Sequence, residues 1–473
     1  MFTILAFVAT LVSSMLIALV YFRPKLSKNL KVPGLEPVDF NGSGNFPDIK
    51  AAGSLHEFLV KLHKQYGPIA SFWFGSKLTV SVASPDILKD LKGVFDRPVE
   101  LFRLLEPLIG SDSIQYCNGT KGRTRRKTTD PAFSHDMLGH FCKNFNELGE
   151  EIVAKLASLP ENEHIPLCQH SLALTIKGLS QTSFGAYFKS DEMCHKLRHN
   201  YEICWHEMEQ RLDGSVPDQN SERQQRFNES LKTLKEMVKD IVKLRQESPP
   251  QPHERAFIDV LMDHTDLYPE STLLNEAMTY LVGGLQTSGN LLVWTLYFLA
   301  AHKDVQEKVF REIVSVVGRN GSIGPDDIVE FHYMKQVINE SLRLSVLAPW
   351  GAKVQNDDIE LGGYVIPKGT PVITALGVVL QDETIWPLPD TFDPERFSPE
   401  NVKQRHQFAF QPFGLPKRVC PGYRFAYYEL TVFLAILIRN FKWSLVDGHV
   451  VERSYGLVTS PKEEIWAQVV KRE

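Results

Sequence analysis

The chain has 473 residues, 43% of them hydrophobic, which is ample for a large buried core. Its formal net charge of −5, from 52 basic and 57 acidic residues, argues against nucleic acid as the main partner. Six cysteines, at positions 117, 142, 168, 194, 204 and 420, have neither paired nor metal-finger spacing, so a disulfide framework is excluded and a reducing compartment is indicated.

Phe2 to Phe22 contains no charged residue. As a helix rising about 1.5 Å per residue it can cross a hydrocarbon core of about 30 Å. Arg23, Lys25, Lys28 and Lys31 follow, and the positive-inside rule keeps that flank cytosolic. A cleaved leader is the competing reading, but the apolar run is long and no positive residue precedes it. Pro33-Gly34 and Pro37 then break the helix. Residues 2–22 are thus expected as a single-pass anchor, 23–37 as a basic and Pro/Gly hinge, and 38–473 as one cytosolic domain without an internal linker. In that orientation the sequons at Asn41 and Asn118 stay unglycosylated.

Beyond the hinge, Ser71 to Ala83 alternates apolar residues as strands do, and Leu361 to Ala375 is a second β segment with Gly362-Gly363 and Pro367-Lys368-Gly369 as turns. Most of the remainder reads as helix. Asp213 to Arg226 is polar and carries Gly214 and Pro217, which predicts a surface loop; Ser248-Pro249-Pro250-Gln251-Pro252 is a second break. The fold class is therefore mainly α with a smaller β region.

Three blocks near the C-terminus carry chemistry. Glu340 and Arg343 lie three apart, on one helix face, where they can form an ion pair. Phe392-Asp393-Pro394-Glu395-Arg396-Phe397 follows, with Arg396 available to join that pair. Then Phe413 to Gly422 sets one cysteine between glycines, beside Arg418 and just before an apolar run from Tyr423 to Phe441. That run predicts a buried helix, with Cys420 at its N-terminus. There the partial positive charge and free N–H groups favour a thiolate. Taken alone, the cysteine could equally be an inert buried thiol.

In this order the three blocks resemble the ExxR, PERF and cysteine-loop motifs of the cytochrome P450 superfamily. Gly53 to Val60, Ser71 to Gly75, Ala375 to Asp382 and Leu457 to Ser460 are similar to the animal family-20 cytochromes P450, whose members lack an agreed substrate. The resemblance implies the P450 fold and a haem-thiolate monooxygenase domain over 38–473, with haem b held by Cys420. It further implies that Gly414 and Gly422 let backbone approach the macrocycle, that Phe413 shields the sulfur, and that Arg418, Arg126 and Lys353 face the haem carboxylates. Thr287, in Gly283-Gly284-Leu285-Gln286-Thr287-Ser288, becomes the distal hydroxyl, and Gln286 stands where many relatives have an acid. An amide holds water but does not ionise.

Other positions also depart from the pattern. Gly122 stands where tryptophan is expected, Lys353 where arginine is common, and Pro416 where glycine is common. Lys121, Arg123, Arg125, Arg126 and Lys127, with Lys417 and Arg424, give a basic face suited to an acidic NADPH-dependent flavin reductase; a merely solvated helix face is the alternative. The implied location is the endoplasmic reticulum membrane, and the implied substrate is apolar, of a lipid or sterol-like kind. Two other readings stay open. One is a haem-thiolate isomerase or dehydratase that needs no external electrons, and the other is a non-catalytic haem-binding sensor.

Overall fold

The computed structural model describes residues 31–38, 42–160, 162–213, 215–446 and 451–473. The expected anchor at 2–22 and the Asn41 sequon lie outside these residues. Among the described residues no helix is long and apolar enough to cross a membrane.

The first principal helix, α1 (Leu55–Tyr66), starts where the Ser54 hydroxyl accepts the Glu57 N–H at 3.1 Å. The larger part of the molecule is then helical: α2 (Gly119–Thr129), α3 (His135–Ala157), α4 (Leu167–Phe184), α5 (Asp191–Gln210), α6 (Glu222–Glu247), α7 (Glu270–Ala301), α8 (Lys303–Val317), α9 (His332–Ser345) and α10 (Tyr423–Asn440). Apolar residues surround both α7 and α10, from Leu281 to Leu299 on one and Leu430 to Ile438 on the other, so both run through the core. Helix α7 packs along α4, and α10 packs against α3 and α8.

One of the two expected loops is resolved differently by the structure. The segment Asp213 to Arg226 is not loop throughout, because α6 begins at Glu222. Ser221 caps it by accepting the Gln224 N–H at 3.2 Å, and Phe227, Leu234 and Ile241 supply its buried stripe. The break after α6 does fall at Ser248, as the proline cluster predicts.

A four-stranded sheet, in the order β1 (Ile69–Phe74), β2 (Lys77–Val82), β7 (Pro371–Thr374), β4 (Gly351–Val354), forms the smaller part, and β5 (Ile359–Leu361) pairs separately with β6 (Tyr364–Ile366). Strands β1 and β2 make an antiparallel hairpin within the expected β segment. Strand β2 pairs in parallel with β7, and β4 closes the edge with Lys353 opposite Val372. Ahead of β1, Ser71 donates its N–H to Pro33 and accepts from Leu35, so the end of the expected hinge is fastened to the sheet edge.

A further β region, not singled out from sequence, lies at the C-terminus beyond the helical run from Tyr423. Strands β8 (Phe441–Leu445) and β11 (Trp466–Lys471) join the two-residue β3 (Ile165–Pro166), and β9 (Arg453–Tyr455) pairs with β10 (Thr459–Pro461). Phe441 leaves α10 with extended dihedrals, and the alternation Phe441, Trp443, Leu445 buries one face of β8.

Candidate functional site

Helix α10 is capped at Gly422, which puts Cys420 immediately before its first turn. Burial pushes the Cys420 thiol above its ordinary value, opposed first by the Gly422 N–H and then by Arg126 and Arg97. The loop in front is a tight turn, with Gly414 at φ +83° and Lys417 at φ +67°. Phe413 fixes the sulfur through its backbone, its carbonyl accepting the Cys420 N–H at 2.9 Å, while its ring packs on Tyr423 and Tyr427. The exposed Pro416 precedes Lys417 and offers no N–H to the turn.

Glu340 and Arg343, on α9, are both fully buried and joined by two bonds of 2.7 Å. Arg396 lies 3.4 Å from the same carboxylate, as anticipated, and the Asp393 N–H donates to it at 3.0 Å. Arg343 also donates to the carbonyls of Leu380, Pro389 and Thr391. One bidentate pair thus ties α9 to the 380–397 segment that leads into the cysteine loop.

Four cations meet around that loop. Arg418 is buried, donating to the carbonyls of Cys117 at 2.9 Å and Ile114 at 2.5 Å, and lies over the Phe95 ring. Arg126 donates to Val419 O at 3.0 Å and pairs with Asp130. Lys353 is buried with its amine on Val94 O at 2.9 Å. Arg97 was not singled out from sequence; its N–H and carbonyl are both held by Asn118, so that sequon side chain is engaged in the interior. Burial first, then Arg97, Arg418 and Arg126, lower Lys353 to about 7. Burial, Arg97 and Arg126 lower Arg418 to about 9, and burial with Arg126 lowers Arg97 to about 10. Asp96 only partly offsets this crowding.

The Gly122 departure has a steric cause. A Cβ there would sit 2.2 Å from the Cys117 carbonyl oxygen, which itself accepts from Arg418. Backbone therefore fills the space that a tryptophan side chain would need.

On α7, Thr287 donates to Gly283 O at 2.7 Å, and a Cβ on Gly283 would meet nothing within 4 Å. The hydroxyl and the open face lie one helical turn apart. Gln286 is turned along its own helix, its backbone and side-chain oxygens accepting from Asn290 at 2.9 and 3.1 Å. Ser288, next in the chain, lies beside Glu429 of α10. Glu429 is fully buried, neither carboxylate oxygen has a hydrogen-bond partner meeting normal geometry, and burial raises its pKa to about 8.

Residues 33–467 match the cytochrome P450 family model. This chain belongs to the cytochrome P450 family. It is 34% identical to cytochrome P450 20A1 of Bos taurus over 98% of both chains, and 33% and 35% identical to the Homo sapiens and Mus musculus proteins over the same shares. The fold of a solved cytochrome P450DA heme domain covers 94% of this chain and 98% of that one with a TM-score of 0.81, at 20% identity. The chain is accordingly a P450 monooxygenase, an oxidoreductase that uses haem and electrons from a redox partner.

The residues present fit a haem. Four cations crowd this site, three of them, Lys353, Arg418 and Arg97, lowered by burial and by their cationic neighbours, and the two carboxylates of a haem would offset them. The cysteine at a helix N-terminus suits iron, and the open faces at Gly283 and Gly422, where a Cβ would meet nothing nearer than 3.9 Å, suit a flat macrocycle. Of the basic run, Lys121, Arg123 and Lys127 remain exposed with Lys417 and Arg424, but Arg125 does not. It is 1% exposed and faces Glu276. Neither Arg97 nor Glu276 was singled out from sequence, since no local pattern marks a residue whose partners lie far along the chain.

Proposed function

We propose that this P450 is a membrane-anchored enzyme that inserts one oxygen atom from O2 into an apolar lipid or sterol-like substrate, with electrons passed from NADPH by a flavin reductase. The observation that carries it is Cys420, set before the first turn of α10 and flanked by Arg97, Arg126, Lys353 and Arg418. A haem held there supplies oxygen binding and O–O cleavage, which thiolate donation favours.

The protein's own residues do the rest. Cys420 would ligate iron as the thiolate; burial pushes the free thiol up, the Gly422 N–H, Arg126 and Arg97 oppose that, and ligation itself would complete the deprotonation. Arg97, Arg126, Lys353 and Arg418 would hold the haem carboxylates, and Phe413 and Gly414 shape the turn that presents the sulfur. Thr287 would order a proton donor beside the open face at Gly283, with Gln286 holding water through its amide rather than acting as an acid. Lys121, Arg123, Lys127, Lys417 and Arg424 form the reductase face. A cavity of about 250 Å³, lined by Phe46, Phe74, Leu101 and Leu104 with Glu100, Arg103 and Arg211 among them, lies near the N-terminal end of the described chain. Residues 2–22 anchor the chain in the endoplasmic reticulum membrane, 23–37 link it, and 38–473 face the cytosol.

The reduced carbon monoxide complex tests the ligand: its thiolate band should vanish in Cys420→Ala, and an unchanged band overturns the assignment. Product formation from a lipid panel with and without reductase and NADPH tests the electron source. The Gln286–Asn290 engagement favours a second reading, an isomerase or dehydratase of oxygenated lipids, and turnover that ignores the reductase would select it.

A further inference from the structure

Arg125 precedes the expected carboxylate-binding Arg126 and, by its neighbours, belongs to a solvated basic run. Instead it enters the core. Its guanidinium stands 3.4 Å from Glu276 of α7, which is fully buried, and 5.1 Å over the Tyr268 ring. One Nη donates to the carbonyl of Asp112 and, at 3.1 Å, to the Cys117 sulfur.

Glu276 has a second partner, the Ile114 N–H at 2.7 Å. Beside it, Asp112 accepts from Thr272 at 2.5 Å and Asn275 at 2.6 Å, both on α7. The peptide 112–118 is thereby pinned to α7 along its inner edge. Its outer edge carries the two carbonyls, Ile114 and Cys117, that receive Arg418. One residue connects these contacts: Ile114 presents its N–H to Glu276 and, on the next peptide unit, its carbonyl to Arg418.

Stability alone does not account for the pair. Burial pushes Glu276 up to about 7 against the pull of Arg125 and Ile114, and a well-packed apolar pair of similar volume commonly serves as well or better. What an apolar pair cannot do is fix the direction of a peptide unit.

We propose that Glu276, backed by Arg125, is a positioning residue that orients peptide 112–118 so that its carbonyls aim the Arg418 guanidinium at the haem carboxylates, prolonging haem retention. The proposal rests on the reading of Arg418 given above. An arginine has five N–H donors in a rigid fork, so two spent on fixed carbonyls define where the others point.

The test uses the full-length holoprotein with Glu276→Gln, Glu276→Leu and the double variant Arg125→Met/Glu276→Leu. Glu307→Gln, which breaks the distant Arg472–Glu307 pair, serves as control. Haem transfer to excess apoglobin should accelerate about tenfold or more in Glu276→Leu, and less in Glu276→Gln, which keeps an acceptor for Ile114. Amide exchange across 112–118 should rise in parallel, while the control changes neither. The double variant should recover thermal stability without recovering haem retention. Haem release at the wild-type rate in Glu276→Leu, or recovery of stability and retention together in the double variant, overturns the proposal. If Glu276→Leu does not accumulate, wild-type release in both Glu276→Gln and Arg125→Lys overturns it equally. Loss of the thiolate reading through Cys420→Ala is a separate outcome, because the exchange at 112–118 is measured without reference to the iron.

Discussion

Replacing Glu429 by glutamine removes a buried acid while keeping its shape. The carboxyl is fully buried on α10, and burial raises it from an ordinary 4.5 to about 8, opposed only by Ser288. Below pH 4.5 both folded and unfolded chains carry the proton, and the group has no pH-dependent effect. Between 4.5 and 8 only the unfolded chain ionises, so the wild type loses stability as pH rises, and above 8 the loss is complete. At about 1.36 kcal/mol per pH unit that interval gives a ceiling of about 5 kcal/mol. The amide cannot ionise, so the stability of Glu429→Gln relative to wild type should climb through this window and then level off. Any constant offset from burying the amide does not alter the slope. Chemical denaturation of both holoproteins from about pH 5 to about pH 8.5 reads the difference, and infrared spectroscopy should show a protonated carboxyl band at neutral pH that the variant lacks. Parallel pH profiles, with no such band in the wild type, would refute the reasoning.

Lys353, held near 7 by burial and its cationic neighbours, should take up a proton when the haem carboxylates arrive, so haem binding to the apoprotein between about pH 7 and about pH 9 should absorb protons, an uptake that Lys353→Met reduces. Calorimetry in two buffers of different ionisation enthalpy measures it. Arg343→Met should cost about 3–5 kcal/mol, because it leaves the buried Glu340 carboxylate without its bidentate partner and forfeits three carbonyl contacts, and denaturation midpoints and holoprotein yield will record it. Gly122→Ala should destabilise by about 1–3 kcal/mol through the 2.2 Å approach to Cys117 O, and Gly122→Trp should yield no holoprotein. Gln286→Asp should raise the share of NADPH consumed that appears as product; an unchanged ratio would show that the missing acid does not limit turnover.

What was readable in the sequence was what chemistry makes local. Cys420, Arg418 and the glycines fall within ten residues, and Glu340 and Arg343 within one helical turn, so residue type and spacing expose them. The hairpin of β1 and β2 showed through its alternation, and the α7 segment through the resemblance carried by Gly283 to Ser288. The C-terminal strands did not show, because stretches as short as Arg453–Tyr455 carry no period of their own. Nor did the burial of Arg125. Its sequence neighbours are cations, and only the return of the chain at Glu276 reveals why one of them is drawn inward. Arg97 was hidden for the same reason, its partners being Asn118 and the cysteine loop.

The fastening of residues 33–35 to Ser71 has a mechanical meaning. Gly34 runs parallel to β1 so closely that a Cβ would fall 1.9 Å from the Ser71 oxygen, and two backbone bonds of 2.8 and 2.9 Å flank it. Tension arriving from the upstream chain meets these bonds side on, in shear, where they share the load instead of peeling one by one. The four-stranded sheet behind Ser71 would then act as the keel that takes the strain.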